Sequence, residues 1–538
     1  MIARSIDKLV GLFSPQAQLQ RVHARALIDQ VNAITGGSSG YAAARTNRLT
    51  RHFVGSEQRE YQIPRDQISV LRKLSWDLFR NNGQARKIIR HLESKVIGPS
   101  GPEVQSLAMM DGEPHTDFRV RAREVYNSVA DQMDYRGKPG KGGQHLSRQY
   151  KTALKSVILN GDAYAQIRPL MSMEQKEKGL LLPIQLQLIH ASRLDYGKTD
   201  DGMYYGIEFN DDGTRKAYWF NTGHSSEVHI DQESKPTPAD QIIHLYMEDD
   251  VDQVSGAPWF GAALLKMKES ADYEYNELVA AAMGACYVIG FRQSAGQSGG
   301  LSNQLPSDWA PTDLDGNALT GMQPGQMVNL GQNGEIDGFN PGRPNQALPE
   351  FLGHLGRSTA NAVPGVKGST VTGDYRRSSF SSERSADNDI WPEIEGLQHW
   401  FYNDFCQPIY EEIVEAGINA GKFEGVITAK VYDEHRVDLL PAQWQGPVGR
   451  SIKPSEDAIA AKERIRNGTS SPQIEAAKLG KRVEDVVEDW SKYFELAKSK
   501  GIPEEVALQA FLDVSGSTQI SEVSKEVDDD QVKSETEA

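Results

Sequence analysis

The sequence predicts an α+β fold, and three patterns carry that expectation. Apolar residues recur every three or four positions over 65–96, 118–133 and 145–159, the spacing of one helix face. Between 160 and 250 the period falls to two, with turn residues between the runs, which reads as strands. From 259 to 420 long helical stretches return, interrupted by one segment rich in Gly, Ser, Asn and Pro. The chain has 538 residues, room for roughly two to four domains or one large elaborated one.

Taken in order, residues 2–31 read as an amphipathic helix, with Ile2, Ile6, Val10 and Phe13 near one face, followed by a flexible Gly- and Ser-rich linker at 36–40. In 64–96, Ile68, Leu71, Leu74 and Leu78 form one stripe. Ala85, Ile88, Ile89 and Leu92 form another after Asn81-Asn82-Gly83, a helix stop and restart. The helix over 145–159 stops at Asn160-Gly161. Next, 183–188 alternates Ile184, Leu186 and Leu188 with Gln185 and Gln187, the mark of a half-buried strand. Strands over 203–209 and 215–220 flank the turn Asn210-Asp211-Asp212-Gly213, and 241–247 is a further strand.

A helix is expected over 260–287, about 42 Å long at 1.5 Å per residue; its Ala-rich second half allows close helix approach. Residues 291–346 form a small irregular insertion with short β signals at 327–330 and 336–339. A helix from 348 ends at Pro364-Gly365. The longest helix runs over 381–420, with Trp391, Ile394, Leu397, Phe401 and Phe405 on its stripe; Pro392 and Pro408 should bend or break it. Residues 424–431 read as a strand and 455–512 as short helices. From Ser515 onward the composition is that of a disordered tail.

Composition narrows the function classes. No apolar run approaches the length of a membrane span, and the N-terminal apolar run is too short for a signal sequence. Cys286 and Cys406 are the only cysteines, so a disulfide framework is excluded and a reducing compartment is the expectation. The net charge is −16, which argues against a large surface that grips nucleic acid tightly. It does not argue against a surface past which DNA slides. Residues 1–60 carry eight Lys/Arg against four Asp/Glu, while 521–538 carry seven Asp/Glu against two Lys; such arms are commonly solvated or partner-binding.

The short motifs point away from catalysis. Gly-x-Ser-x-Gly occurs around Ser38 and Ser298, in both cases within loop composition and without the preceding buried strand that a hydrolase nucleophile needs. Gly197-Lys198-Thr199 lacks the first glycine of a phosphate loop and precedes no helix, so it reads as a turn. His224, His229 and His244, and separately Asp433-Glu434-His435, lack metal-ligand spacing and read as solvated surface. The acidic run at 248–252 lacks the alternation of a calcium loop. No cofactor or metal is expected. The positive exception is the loop at 365–380, which carries Lys367, Arg376 and Arg377 with Asp374 as its one carboxylate. A short basic loop between two helices of an acidic chain suits reversible contact with a polyanion; an ordinary surface loop is the plainer alternative.

Several blocks, in order, resemble the lambda-type phage portal proteins. These are the run from Arg80 to Ile89 with its Arg-Asn-Asn-x-x-Ala block, the stop at 96–101, Asn160-Gly161-Asp162-Ala163, the strand end at 188–194, Val254-Ser255-Gly256-Ala257-Pro258, and Trp444-Gln445-Gly446 with Ile452 and Pro454. Ser255 and Lys453 depart from the family pattern. The resemblance spans about 65–510 and implies a ring, usually a dodecamer, at one capsid vertex. It implies an N-terminal arm (1–62), an α+β wing (63–259), a stem helix (260–290), a clip (291–346) and a second stem helix (347–363). A tunnel loop (364–380), a long helix (381–423), C-terminal wing and crown helices (424–515) and an acidic tail (516–538) complete it. Lys367, Arg376 and Arg377 would then contact double-stranded DNA in the channel. Implied partners are the terminase large subunit, a head-tail connector or adaptor and the major capsid protein, with assembly in the host cytoplasm, residence in the virion and no membrane.

Simple geometry is compatible with that role. Twelve helices side by side, each about 10 Å wide, leave a bore of about 28 Å, and twelve copies of a −16 chain carry roughly −192 charges, which repel DNA rather than trap it. The expectation is a non-enzymatic conduit for genome packaging, retention and ejection. The competing readings are another phage structural protein, such as a minor capsid or adaptor subunit, and a hydrolase using Ser38 or Ser298.

Overall fold

The computed structural model describes residues 65–138, 141–200, 202–222, 233–285, 289–293, 327–332, 347–375, 379–449, 454–479, 481, 483–503 and 506–508. The chain divides between Gln62 and Ile63, and all of these residues belong to the second unit. The readings placed on 2–31, 36–40, 296–300, 336–339, His224, His229, Arg376, Arg377 and the acidic tail lie outside the described residues.

Helix α1 (Arg65–Asn81) and helix α2 (Gly83–Leu92) form the expected stop and restart. Asn82 makes the joint: its side chain accepts from the Gln84 and Ala85 amides at 2.8 and 3.0 Å, satisfying two of the donors left open at a helix start. Ala85, Ile88, Ile89 and Leu92 are fully buried, and a wide turn over Glu93–Ile97 ends at Gly98. Short strands β1 (Glu103–Ser106), β2 (Met109–Met110) and β3 (Glu113–Pro114) lead to helices α3 (Thr116–Val129) and α4 (Leu146–Asn160).

The mixed region then follows. It holds β4 (Asp162–Pro169), α5 (Ser172–Lys178), β5 (Ile184–Ile189), β6 (Met203–Tyr204), β7 (Ile207–Phe209), β8 (Arg215–Asn221), β9 (Ser234–Pro238) and β10 (Ile242–Tyr246). They form an antiparallel sheet in the order β10-β4-β5 and a four-stranded meander β6-β7-β8-β9. The stretch 203–209 is not one strand: Tyr205 (φ 50°) and Gly206 (φ 78°) fold it into a hairpin of its own. The alternation in β5 also misleads. Gln185 is fully buried because its amide donates to the carbonyls of Gln132 and Asp134 at 3.2 and 3.1 Å, while its oxygen accepts from Lys178 at 2.7 Å. A polar residue with its hydrogen bonds satisfied can occupy the inner face.

Helix α6 (Leu264–Ala285) starts after turns at 259–263, and strands β11 (Ile289–Gln293) and β12 (Met327–Gln332) pair in parallel. Helix α7 (Leu348–Ala360) precedes α8 (Gly368–Thr372), a short helix inside what the sequence presents as a loop. The long helix is two: α9 (Phe380–Phe401) and α10 (Gln407–Asn419), joined by a wide π-type turn over Tyr402–Cys406. Pro408 lacks an N–H, and its ring crowds the carbonyl four residues back, so the extra residue of the turn falls where the regular ladder fails. Pro392 stays within α9. Phe401, Phe405 and Ile409 are fully buried; Phe401 and Phe405 meet Tyr150 edge-on, centroids 6.1 and 5.9 Å apart.

Residues 424–431 are not a strand. Gly425 turns the chain at φ 82°, Thr428 caps helix α11 (Ala429–Leu439), and only Tyr432 and Leu439 of that helix are buried. Capping chemistry overrides the local run of β-branched residues. Strand β13 (Ala442–Gln445) pairs antiparallel with β1, and helices α12 (Pro454–Arg466), α13 (Pro472–Lys478) and α14 (Val483–Ser499) follow.

One buried node ties these parts together. The Asp162 carboxylate, wholly inaccessible, accepts from Arg72 of α1 (2.6 Å), His244 of β10 (3.1 Å), the Ser255 hydroxyl (2.7 Å), the Gly256 amide (2.8 Å) and Tyr196 (3.1 Å). Burial alone would raise its pKa; His244, Arg72 and Ser255 outweigh burial and hold it below the ordinary value. His244 is therefore core, not the solvated residue its sequence context suggests. Two of the blocks that carry the family resemblance, 160–163 and 254–258, meet here backbone to backbone. A Cβ on Gly161 would stand 2.2 Å from the Gly256 carbonyl oxygen.

Candidate nucleic-acid interface

The basic loop is built from the end of α7 to the start of α9. After α7 the chain turns through Pro364 and Gly365, and Gly365 takes φ 71°, a left-handed conformation that favours glycine. Its amide donates to Glu393 of α9 at 2.8 Å. Helix α8 lies against α7 so closely that a Cβ on Gly368 would sit 2.7 Å from Arg357 Cγ, and one on Gly356 would sit 2.5 Å from Thr372 Cγ2. Val371 and Thr370 are buried, and Gly373 ends α8 at φ 70°. The base of the loop is thus packed.

Lys367 sits at that base. Its Nζ lies 2.7 Å from Glu383 and 2.7 Å from Asp387 on α9, and only 16% of its side chain is exposed. Ser369 donates to the same Glu383 carboxylate at 3.2 Å. Partial burial works to lower the Lys367 pKa, and the hydrogen bonds it donates to Asp387 and Glu383 outweigh burial and raise it. The Lys367 ammonium thus fastens the base of the loop to α9. The sequence signal was present: Glu383 and Asp387 stand four apart, hence on one helix face. Arg376 and Arg377 lie outside the described residues, between Tyr375, which is 54% exposed, and Ser379, which caps α9 through the Ser382 amide.

His91 of α2 packs beneath the same turn. Burial, Lys95 and Lys367 lower its pKa to about 4 against a hydrogen bond to the Gly365 backbone. Between the ordinary value of 6.5 and about 4 the unfolded chain takes up a proton that the folded chain refuses. Stability therefore falls as pH falls through that window, by at most about 3 kcal/mol. The urea midpoint followed from pH 7 to 4 should drop more steeply for the wild type than for His91→Gln. Parallel slopes would refute this linkage.

The other motif candidates stay apart from this loop. Gly197 and Lys198 lie in a turn, with the Lys198 amide donating to the Asp195 carbonyl, and 248–252 is a loop after β10. Among the described residues no cluster of three His, Cys, Asp or Glu is disposed to hold a metal ion, and no helix is long and apolar enough to cross a membrane.

The comparison with known families is decisive. The model of the phage portal protein, lambda family, matches residues 46–398, a span that contains the basic loop, α7, all but the last residues of α9 and the Asp162 node. The chain belongs to the lambda family of phage portal proteins. It is similar to the probable portal protein of Halomonas phage phiHAP-1, at 23% identity over 471 residues, covering 86% of this chain and 88% of that one. Among solved structures it is similar to a chain in the neck of a native GTA particle computed with C12 symmetry (13% identity, TM-score 0.40, covering 81% and 98%). It is also similar to a chain in the virion of a native gene transfer agent particle (14% identity, TM-score 0.36, covering 74% and 99%). The portal family is structural rather than catalytic.

Proposed function

We propose that this portal protein closes into a ring of twelve copies at one capsid vertex, and that DNA passes through it during packaging, retention and ejection. The family match over 46–398 carries the reading. In it, 63–259 serve as the wing, 260–290 and 347–363 as the stem, 291–346 as the clip and 424–515 as the C-terminal wing and crown. The 364–380 loop faces the channel: Lys367 anchors it, and Arg376 and Arg377 make brief phosphate contacts. The terminase, the head-tail connector and the major capsid protein are the partners of this assembly, formed in the host cytoplasm.

The native mass of the purified assembly, with negative-stain images, tests the ring directly; a stable monomer or a particle without a hole would overturn it. The loop is tested by Arg376→Ala with Arg377→Ala. Rings should form in normal yield while packaged genome falls, measured as DNA-filled against empty heads. Normal filling would reject the assignment.

A further inference from the structure

Two corners of the three-stranded sheet carry opposite charge. At one corner, the buried Asp134 carboxylate closes the loop 134–144 by accepting from the Arg136 amide, Nε and Nη2 at 3.1, 3.0 and 2.8 Å and from the Gln144 amide at 2.9 Å. Lys138 and Lys141 exchange backbone hydrogen bonds across it at 3.1 and 2.9 Å. The Lys138 ammonium reaches the Glu177 carbonyl at 3.1 Å, which joins the loop to α5. There Met171 and Met173 are 78% and 84% exposed, and Lys141 and Lys176 are exposed and form no ion pair among the described residues. Glu174 and Glu177 are exposed on the same helix, but Lys138, Lys141, Lys176 and Lys178 outnumber them, so this apolar tip keeps a basic surround on a chain of net charge −16.

The loop after β10 has the reverse character. Val251 is 76% exposed, flanked by Glu248, Asp249, Asp250 and Asp252, all exposed and none in an ion pair among the described residues. The loop is braced: Gln253 Oε1 accepts from the Asp249 and Asp250 amides at 2.6 and 3.2 Å, and Tyr246 donates to the Gln253 carbonyl at 2.8 Å.

Topology keeps the two corners apart within one chain. The strand order is β10-β4-β5, with Asp134 bridged to Leu186 on the far side of β5. The acidic loop follows Tyr246, opposite Asp162 at the start of β4, whereas the basic tip follows Pro169 at its end, opposite Ile184. The corners are diagonal, so they satisfy each other only between copies. A patch and its complement at different places on one subunit make a head-to-tail contact, the kind that closes rings.

We propose that the Met171/Met173 tip, with Lys141 and Lys176, seats on the 248–252 loop of the next copy of this chain, with Val251 at the centre of the contact. The proposal rests on the ring reading above and names one of its contacts. The test is the fraction of ring in native mass spectra of the full chain, with circular dichroism and thermal melting as folding controls. Lys141→Glu with Lys176→Glu should deplete rings, as should Glu248→Lys with Asp249→Lys, and the four changes together should restore them. Val251→Asp should also deplete rings, and it stands in if a double reversal misfolds. Rings at wild-type yield in any folded depleting variant, or a folded quadruple variant without rescue, would overturn the contact. So would reversals that leave rings intact and abolish retention of a short DNA duplex, because the tip would then serve a polyanion. A wild-type chain that never forms rings is a separate result, which sinks the portal reading itself.

Discussion

Asp162→Asn should cost the folded state about 3–5 kcal/mol, the scale for removing one partner of a buried ion pair. The asparagine keeps the volume, but its amide cannot neutralise Arg72, whose guanidinium is buried and whose other hydrogen bonds run to the Asn160 carbonyl (2.7 Å) and the Tyr196 hydroxyl (2.5 Å). Arginine cannot shed its charge to escape, so the cost falls on packing. Arg72→Met should cost less, because the stranded carboxylate keeps His244, Ser255 and the Gly256 amide. Urea unfolding of both variants at neutral pH checks the order; equal losses would show that charge is not the term that decides. The pH dependence has a definite sign. The folded Asp162 pKa lies below its ordinary 3.8, so its contribution is complete above that value and is lost as pH falls through the depressed one. Mild acid therefore leaves the Asp162 carboxylate ionised and acts on the histidines with depressed pKa, His91, His190 and His244, among which the His91→Gln comparison isolates His91.

Gly161→Ala should be comparably severe through a different cause. Gly161 has φ 87°, and the methyl would meet the Gly256 carbonyl oxygen at 2.2 Å and the Ala257 carbonyl carbon at 2.8 Å. Those are backbone atoms that no rotamer change can move aside. Gly425→Ala is the control, since it has φ 82° with nothing within 4 Å of the added carbon. That control should lose only about 1–2 kcal/mol for the left-handed conformation, and Gly161→Ala should lose clearly more by denaturant unfolding. Equal losses would mean that the 254–258 segment gives way easily and does not hold the root of α6 in place.

These two positions show where the sequence was readable. Helices α1 and α2 and their joint could be read because Asn82 acts locally, on amides two and three residues away. The 210–213 turn is local in the same sense. Strand Ile184–Ile189 was found, but its burial was not, because the partners of Gln185 lie about fifty residues away in sequence. His244 looked solvated for the same reason: the carboxylate it serves belongs to another strand. At 424–431 a β-branched run argued for a strand, whereas a glycine turn and the Thr428 cap made a helix. The candidate loop was recognisable from its charge, and Glu383 and Asp387 could be placed on one helix face, but their pairing with Lys367 could not be read, since they lie 16 and 20 residues further along the chain.

The wide turn at Tyr402–Cys406 sets the angular phase between α9 and α10. Each residue of a helix advances the face by about 100°, so the segment acts as a fixed offset between two stripes that the sequence alone makes look continuous. The extra residue is absorbed within these five positions, which lets Phe401, Phe405, Ile409 and Ile413 all stay buried although they stand four apart, a spacing that would drift off one face of an unbroken helix.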